Sequence, residues 1–464
     1  MMKLLWIILG LGIATSVVGE TYFANGIKIG EVDQDSAIVW TRLTRNPAID
    51  LDGTKFKKVS SKVPVPAEMQ LPDGKTLDDM VGAVPGAPGE VRLTWQAKGE
   101  TPVIGDWCRV EAASDYTYRF SLNDLQPATE YKLKVENRDG VSASGHFKTA
   151  PPKDMVAPIT FSVITCQKFS SIDDPVNGLK IYHNMLNLQP DFFVHTGDLE
   201  YYDQPAPLAT NPAFARFKMT RMFGLPYIVS FVSNTAGYFM KDDHDMLKDD
   251  CWPGATYGDL TWDQGLQILH EQFPLSKIPY RTFRWGKDLQ IWLVEGREFR
   301  SPNKMPDGPD KSIWGAEQKA WFFRTVKASD ATFKVLISPT PIVGPDRKNK
   351  NDNLANVGFQ HEGDEIRKFI ASQKNMYVAC GDRHWQYVSV DSKTGVKEFS
   401  CGPTSNARAG GWKNSMVFPE HRYLKVQGGF LTISIDRKNG TPVLTARHYD
   451  VDGKLCNEDV NTGI

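Results

Sequence analysis

Four polar clusters, each placed after an apolar run with strand character, constrain this chain most. They are Cys166-Gln167-Lys168, then His195-Thr196-Gly197-Asp198-Leu199-Glu200-Tyr201-Tyr202, then Asp242-Asp243-His244-Asp245, then Gly381-Asp382-Arg383-His384-Trp385. The apolar runs read as strands over 160–165, 192–194, 227–232, 333–338 and 376–379. Helical spacing of apolar residues appears over 176–188, with Pro175 near its start, and over 317–329. Strands alternating with amphipathic helices are the pattern of an α/β domain. In open sheets of that kind, ligands sit beyond the C-terminal ends of the strands. Taken singly the clusters mean little, because Asp after Gly is usually a turn residue and a buried Cys is usually core. Together, after successive strands, they predict one polar site assembled from distant parts of the chain.

The sequence ahead of these clusters follows a different rule. From 20 to 150 it reads as all-β, with strands expected at Ala37-Ile38-Val39-Trp40, at Val91-Arg92-Leu93-Thr94-Trp95, and from Tyr116 to Phe120. The run Leu125-Gln126-Pro127-Ala128-Thr129-Glu130-Tyr131 precedes Leu133 and Val135 at period two. It resembles the corner of a fibronectin type III sandwich, where a Tyr folds back onto the backbone. Residues 45–90 are rich in Pro, Gly, Asp and Lys and read as a long insertion. Thr149-Ala150-Pro151-Pro152-Lys153 reads as a linker. The chain ends in further β, at 386–390, 430–435 and 443–449.

Residues 1–19 carry the three parts of a secretory signal. Lys3 supplies the positive start, Leu4 to Ile13 the apolar run, and Val17-Val18-Gly19 the cleavage region. The apolar run is short for a membrane span of about 20 residues, and no later run is long enough. The expected location is therefore secreted or periplasmic. Lys+Arg number 54 and Asp+Glu 55, a net charge of −1. That balance excludes a dedicated nucleic-acid-binding surface, which needs excess cations, but it leaves room for a local metal site that binds one anion. Six cysteines in 464 residues do not form a disulfide framework.

The order of the clusters resembles the binuclear metallophosphoesterases. The G-D-x-x-Y pattern is intact as Gly197-Asp198-Leu199-Glu200-Tyr201, the third motif reads D-D-H-D, and the last reads G-D-R-H. The first motif is replaced by a strand ending in Thr165-Cys166-Gln167. With the β-sandwich ahead of it, Arg297-Glu298-Phe299-Arg300-Ser301-Pro302, and Trp314-Gly315-Ala316-Glu317-Gln318-Lys319-Ala320-Trp321, the chain resembles the alkaline phosphatase D family. The resemblance implies an αββα metallophosphoesterase-like sandwich over 155–464, preceded by an immunoglobulin- or fibronectin-like sandwich over 20–150. It also implies a monomeric phosphoester hydrolase that uses iron and calcium and attacks in line with a metal-bridging hydroxide.

Carried over residue by residue, the first metal site is Cys166, Asp198, Tyr201 and His384. Phenolate and thiolate suit Fe(III), and both must be deprotonated. The second site is Asp198, Asp243 and Asp382, all oxygen, which suits Ca²⁺, Mg²⁺ or Mn²⁺; Zn²⁺ is a further alternative. His244 is the candidate acid for the leaving oxygen, oriented by Asp245, or else another metal ligand. His195 would orient Asp198, and Arg297 and Arg383 are either phosphate donors or ordinary ion pairs. The chain departs from the pattern where Asp382 replaces a His, where Ser338-Pro339-Thr340-Pro341 supplies no His, at Lys241, and at Glu295-Gly296. Asp249 or Asp250 stands where relatives carry an Asn. Two alternatives remain at this stage. One is phospholipase or sulfatase chemistry on the same metal core; the other is a non-catalytic surface-binding protein with a decayed metal domain.

Overall fold

The computed structural model describes residues 20–60, 63–347, 350–413 and 415–463, so the expected signal segment 1–19 lies outside the described residues. Two mixed sheets face each other. One has nine strands in the order Leu455–Thr462, Thr441–Asp450, Gly429–Lys438, Ile159–Ile164, Phe192–His195, Ala236–Phe239, Ile27–Gly30, Ala37–Arg42, Thr117–Leu122. The other has seven, in the order Arg281–Trp285, Leu289–Leu293, Phe333–Ser338, Met376–Cys380, Lys397–Cys401, Gln386–Val390, His421–Lys425. Their inner faces share one apolar core that includes Phe161, Val163, Phe192, Ile291, Val335 and Ile433. Four helices (Lys180–Leu188, Pro212–Met222, Pro226–Asn234, Trp262–Gln272) contribute buried residues to a second core with the outer face of the nine-stranded sheet. Helices Gly315–Ala328 and Gln360–Ala371 cover the seven-stranded sheet. This is the αββα arrangement, and it follows from strands apolar on both faces, which need cover on both sides.

The N-terminal sandwich is not a separate bead. Three of its strands continue the nine-stranded sheet, because Ile27–Gly30 lies parallel to Ala236–Phe239 with Gly30 opposite Gly237. A five-stranded sheet built on Gly89–Ala97, Glu130–Asn137 and Ser142–Lys148 packs over them. The tyrosine corner forms as expected: the Gln126 amide donates to the Tyr131 hydroxyl at 2.8 Å. The 45–90 insertion crosses onto the helical layer. There the Gln70 carboxamide accepts from the Leu208 amide at 2.7 Å and donates to the Leu208 carbonyl at 3.1 Å.

Two sequence expectations fail. Residues 227–232 are not a strand; they lie in helix Pro226–Asn234. The run Tyr-Ile-Val-Ser-Phe-Val carries strand-forming residues, but Pro226 opens a helix. Ile228, Phe231 and Val232 then share its buried face at helical spacing. The strand that leads into the third cluster is Ala236–Phe239 instead. The first helix starts at Lys180 rather than 176, because the Asp174 carboxylate accepts from the amides of Val176 and Asn177 and closes a turn there. All six cysteines are free. Among the described residues, no helix is long and apolar enough to cross a membrane.

Candidate metal centre

The four clusters converge at the C-terminal ends of strands Ile159–Ile164, Phe192–His195, Ala236–Phe239 and Met376–Cys380. The turns that follow these strands are tight. Cys166, Asp198 and Asp382 have φ of 56°, 55° and 62°, a left-handed conformation that costs non-glycine residues energy and tends to persist at functional sites. Gly381 explains how two strand ends come so close: a Cβ there would lie 2.2 Å from Thr196 Oγ1 and 2.7 Å from Thr165 Oγ1.

Asp198 sits in the middle of the ligand set. Its Oδ2 lies 2.6 Å from the Tyr201 hydroxyl and 3.2 Å from Cys166 Sγ. The Tyr201 hydroxyl is in turn 3.2 Å from His384 Nε2. The four residues expected at the first site are thus in mutual reach. On the other side, ligand atoms of Asp198, Asp243 and His244 cluster within 4.8 Å, and so do those of Asp198, Asp242 and Asp382. Asp198 thus lies near both Asp243 and Asp382 of the expected second site, but in two separate groups, the second of which includes Asp242, a neighbour that the motif reading did not use. Cys166, Asp198, Tyr201 and Asp243 form a buried floor, while His244, Asp382 and His384 are partly exposed at its rim.

The donor chemistry fits cations. Asp198 Oδ1 and Asp242 Oδ2 are buried with no hydrogen-bond partner. Burial raises the Asp198 carboxyl above its ordinary range, with Asp243 adding repulsion against nearby His244. Burial, then Asp198 and Asp382, push the Cys166 thiol far up. A thiol, a phenol and several carboxyls crowded into one dry pocket leave carboxylate oxygens without a partner, which is what metal ions supply. His384 is kept neutral first by burial and then by Arg408, His244 and Arg383, as an imidazole ligand must be.

His244 differs. Burial opposes its charge, but Asp243, Asp198 and Asp203 outweigh it and lift its pKa well above the imidazole range. Its Nδ1 is 2.7 Å from Asp203 Oδ1. The expected orienting residue, Asp245, does not do this. Its carboxylate accepts from the amides of Leu199 at 3.0 Å and Asp242 at 2.9 Å, which locks the second and third clusters together. His195 is buried with its Nδ1 on the Gly197 amide, so it braces the turn backbone rather than the Asp198 carboxylate. Asp249 and Asp250 group with Asp243.

Arg297 and Arg383 are buried in ion pairs. Arg297 Nε lies 2.5 Å from Asp242 Oδ1, and Arg383 meets Asp346 at 3.0 Å and Asp382 at 2.6 Å. Lys241, at a departure from the pattern, pairs with Glu295 at 3.2 Å and Glu298 at 2.5 Å, so both departures belong to one ion cluster.

Against known families, residues 228–439 match the PhoD-like phosphatase family, and residues 12–151 match the PhoD-like phosphatase N-terminal domain. The chain belongs to the PhoD-like phosphatases. A curated relative is alkaline phosphatase D of Bacillus subtilis (strain 168), 22% identical over 430 residues; the match covers 79% of this chain and 65% of that protein's length. Among solved structures, the fold resembles that of PhoD, with a TM-score of 0.71 and 16% identity over 95% of this chain and 89% of that one. It also resembles a purple acid phosphatase from yellow lupin (Lupinus luteus), with a TM-score of 0.61 and 11% identity over 94% and 74% of the two chains. The αββα fold is therefore metallophosphoesterase-like.

Two residues of this PhoD-like site escaped the motif reading. Asp203 lies two positions beyond G-D-x-x-Y, and nothing in a lone acidic residue marks it. Arg408 comes from a short 3-10 turn, Asn406–Arg408, and its guanidinium stacks 4.0 Å from the Tyr201 ring centroid. Its Nε is buried without a partner. Only its nearness to the fourth cluster in sequence could have drawn notice.

Proposed function

We propose that this chain is a metal-dependent phosphoester hydrolase, exported to the periplasm or outside the cell, with its catalytic unit over 155–464 and the sandwich over 20–150 bracing it. One observation carries the reading: Asp198 is shared between a sulfur, phenol and imidazole donor set (Cys166, Tyr201, His384) and carboxylates on its other side, Asp243 in one group and Asp242 with Asp382 in another. The first set suits Fe(III) and the carboxylates Ca²⁺. Ions bound there would hold the phosphoryl oxygens and supply an activated water for in-line attack. The other roles belong to side chains. Asp203 fixes the His244 ring and, with Asp243 and Asp198, favours its cation, so His244 can give a proton to the leaving oxygen. Arg408 offers an uncommitted guanidinium edge to a phosphoryl oxygen.

A panel of an aryl phosphate, a bis-aryl phosphate and an aryl sulfate, assayed with wild type and with Asp198→Asn, tests the proposal. Hydrolysis of the phosphates by wild type alone supports it. Full activity in Asp198→Asn, or turnover of the sulfate only, overturns it.

A further inference from the structure

A cavity of about 820 Å³ adjoins the rim beside His384, a volume in the range of small-molecule sites. Arg347, Lys350 and Lys413 line it with three cationic heads, Met416, Val417 and Phe418 give it an apolar wall, and among the described residues no lining residue is acidic. It is tied to the metal centre by short links. The Gly410 amide donates to the His384 carbonyl at 3.0 Å. The Arg347 guanidinium lies 5.2 Å from the ring of Trp385, the residue after His384. Lys350 reaches Asp352 at 2.8 Å, and Asp352 lies 3.6 Å from Arg383, which holds Asp382.

Lys350 is paired with Asp352 at 2.8 Å, but the other two cations of this cup have no close carboxylate. Asp346 is already turned toward buried Arg383 at 3.0 Å. Arg347 meets Asp346 only at 3.4 Å, and Lys413 has no carboxylate partner among the described residues. The Val417 side of the wall is 83% exposed, apolar surface that a bound organic group would cover.

We propose that this cup binds a second anionic group on the leaving side of the substrate, so that preferred substrates are phosphate esters whose alcohol carries another phosphate. The proposal rests on the phosphoesterase reading above and adds the substrate class to it. It assigns Arg347 and Lys413 to specificity and not to the chemical step.

The test compares kcat/KM of the metal-loaded full chain for fructose 1,6-bisphosphate, fructose 6-phosphate, fructose 1-phosphate and 4-nitrophenyl phosphate. The bisphosphate should exceed either monophosphate by about tenfold or more, mainly through KM, as expected for charge-assisted contacts. In the Arg347→Gln, Lys413→Gln double variant that preference should fall to about the twofold given by two equivalent phosphates, while 4-nitrophenyl phosphate turnover stays unchanged. Equal kcat/KM per phosphate in wild type, or an undiminished preference in the double variant, overturns the cup while leaving the phosphoesterase reading intact. Failure of wild type to hydrolyse any of the four overturns both.

Discussion

The His244 imidazole is held through Nδ1 by the Asp203 carboxylate at 2.7 Å, across 41 residues of sequence. The pair joins the second cluster to the third, because the Tyr202 amide also donates to the His244 carbonyl at 2.9 Å. The loop that carries Asp203 closes through the Ala209 amide on the Tyr202 carbonyl at 2.8 Å, beside Leu208, which Gln70 of the N-terminal insertion fastens. A residue from the N-terminal region therefore contacts the loop that carries Asp203.

Asp203→Asn keeps an acceptor for Nδ1–H but removes one of the charges, after those of Asp243 and Asp198, that favour imidazolium. The expected outcome depends on the leaving group. Hydrolysis of an alkyl phosphate should slow by about tenfold to a hundredfold, within the range for general acid catalysis. Hydrolysis of 4-nitrophenyl phosphate, whose leaving group needs no proton, should change little. Equal losses on both substrates would show that Asp203 supports structure alone.

Arg408→Ala removes the only guanidinium stacked on Tyr201 among the described residues. Loss of one charged hydrogen bond to a phosphoryl oxygen is worth about 1.5–3 kcal/mol, so kcat/KM should fall by about tenfold to a hundredfold. Arg408→Lys should recover part of it. Steady-state kinetics with an aryl phosphate checks both variants, and unchanged kinetics in Arg408→Ala would remove Arg408 from the site.

Gly381→Ala forces a methyl against Thr196 and Thr165 at distances no Cβ tolerates. Both threonines stand at strand ends and cannot move freely. Thermal unfolding should report a loss of about 1–3 kcal/mol, with weaker metal retention, since Asp382 and His384 follow directly. An unaltered melting temperature and metal content would mean the strand ends have slack.

Stability should also depend on mild acid through a residue remote from the centre. His448 is buried, its Nε2 donates to the Ser400 carbonyl at 3.1 Å, and its ring packs against Tyr423. Burial pulls its pKa down to about 4, against the 6.5 of a free imidazole. Between those values the unfolded chain binds the proton and the folded chain does not. The contribution is thus complete above pH 6.5 and is lost as pH falls toward 4, by about 3 kcal/mol in all. Melting curves of wild type and His448→Gln over that window should converge as pH falls, and parallel curves would refute the assignment.

The residues of the candidate centre were legible in the sequence because each follows an apolar strand, and strand ends in this fold meet at one edge. Their assignment as ligands, Asp198, Tyr201 and His384 among them, came from the family resemblance. The orienting partner of His244 was not legible: Asp245 is the neighbour in sequence, but its carboxylate is taken by two backbone amides, and the contact goes to Asp203 through a loop closure that no local pattern encodes. Helix Pro226–Asn234 was misread because its strand-forming residues outweigh one proline when tertiary packing is unknown. The joining of the sandwich to the catalytic sheet depends on Gly30 facing Gly237, a register set by shape rather than by composition.

The account turns on Asp198 being shared by two metal ions, and elemental analysis of the purified chain, with Asp198→Asn alongside, tests it most directly. Wild type should retain two ions per chain, one of them iron held by Cys166 and Tyr201, and Asp198→Asn should lose both occupancy and phosphate hydrolysis. Wild type that hydrolyses phosphate esters with one ion or none bound would contradict it.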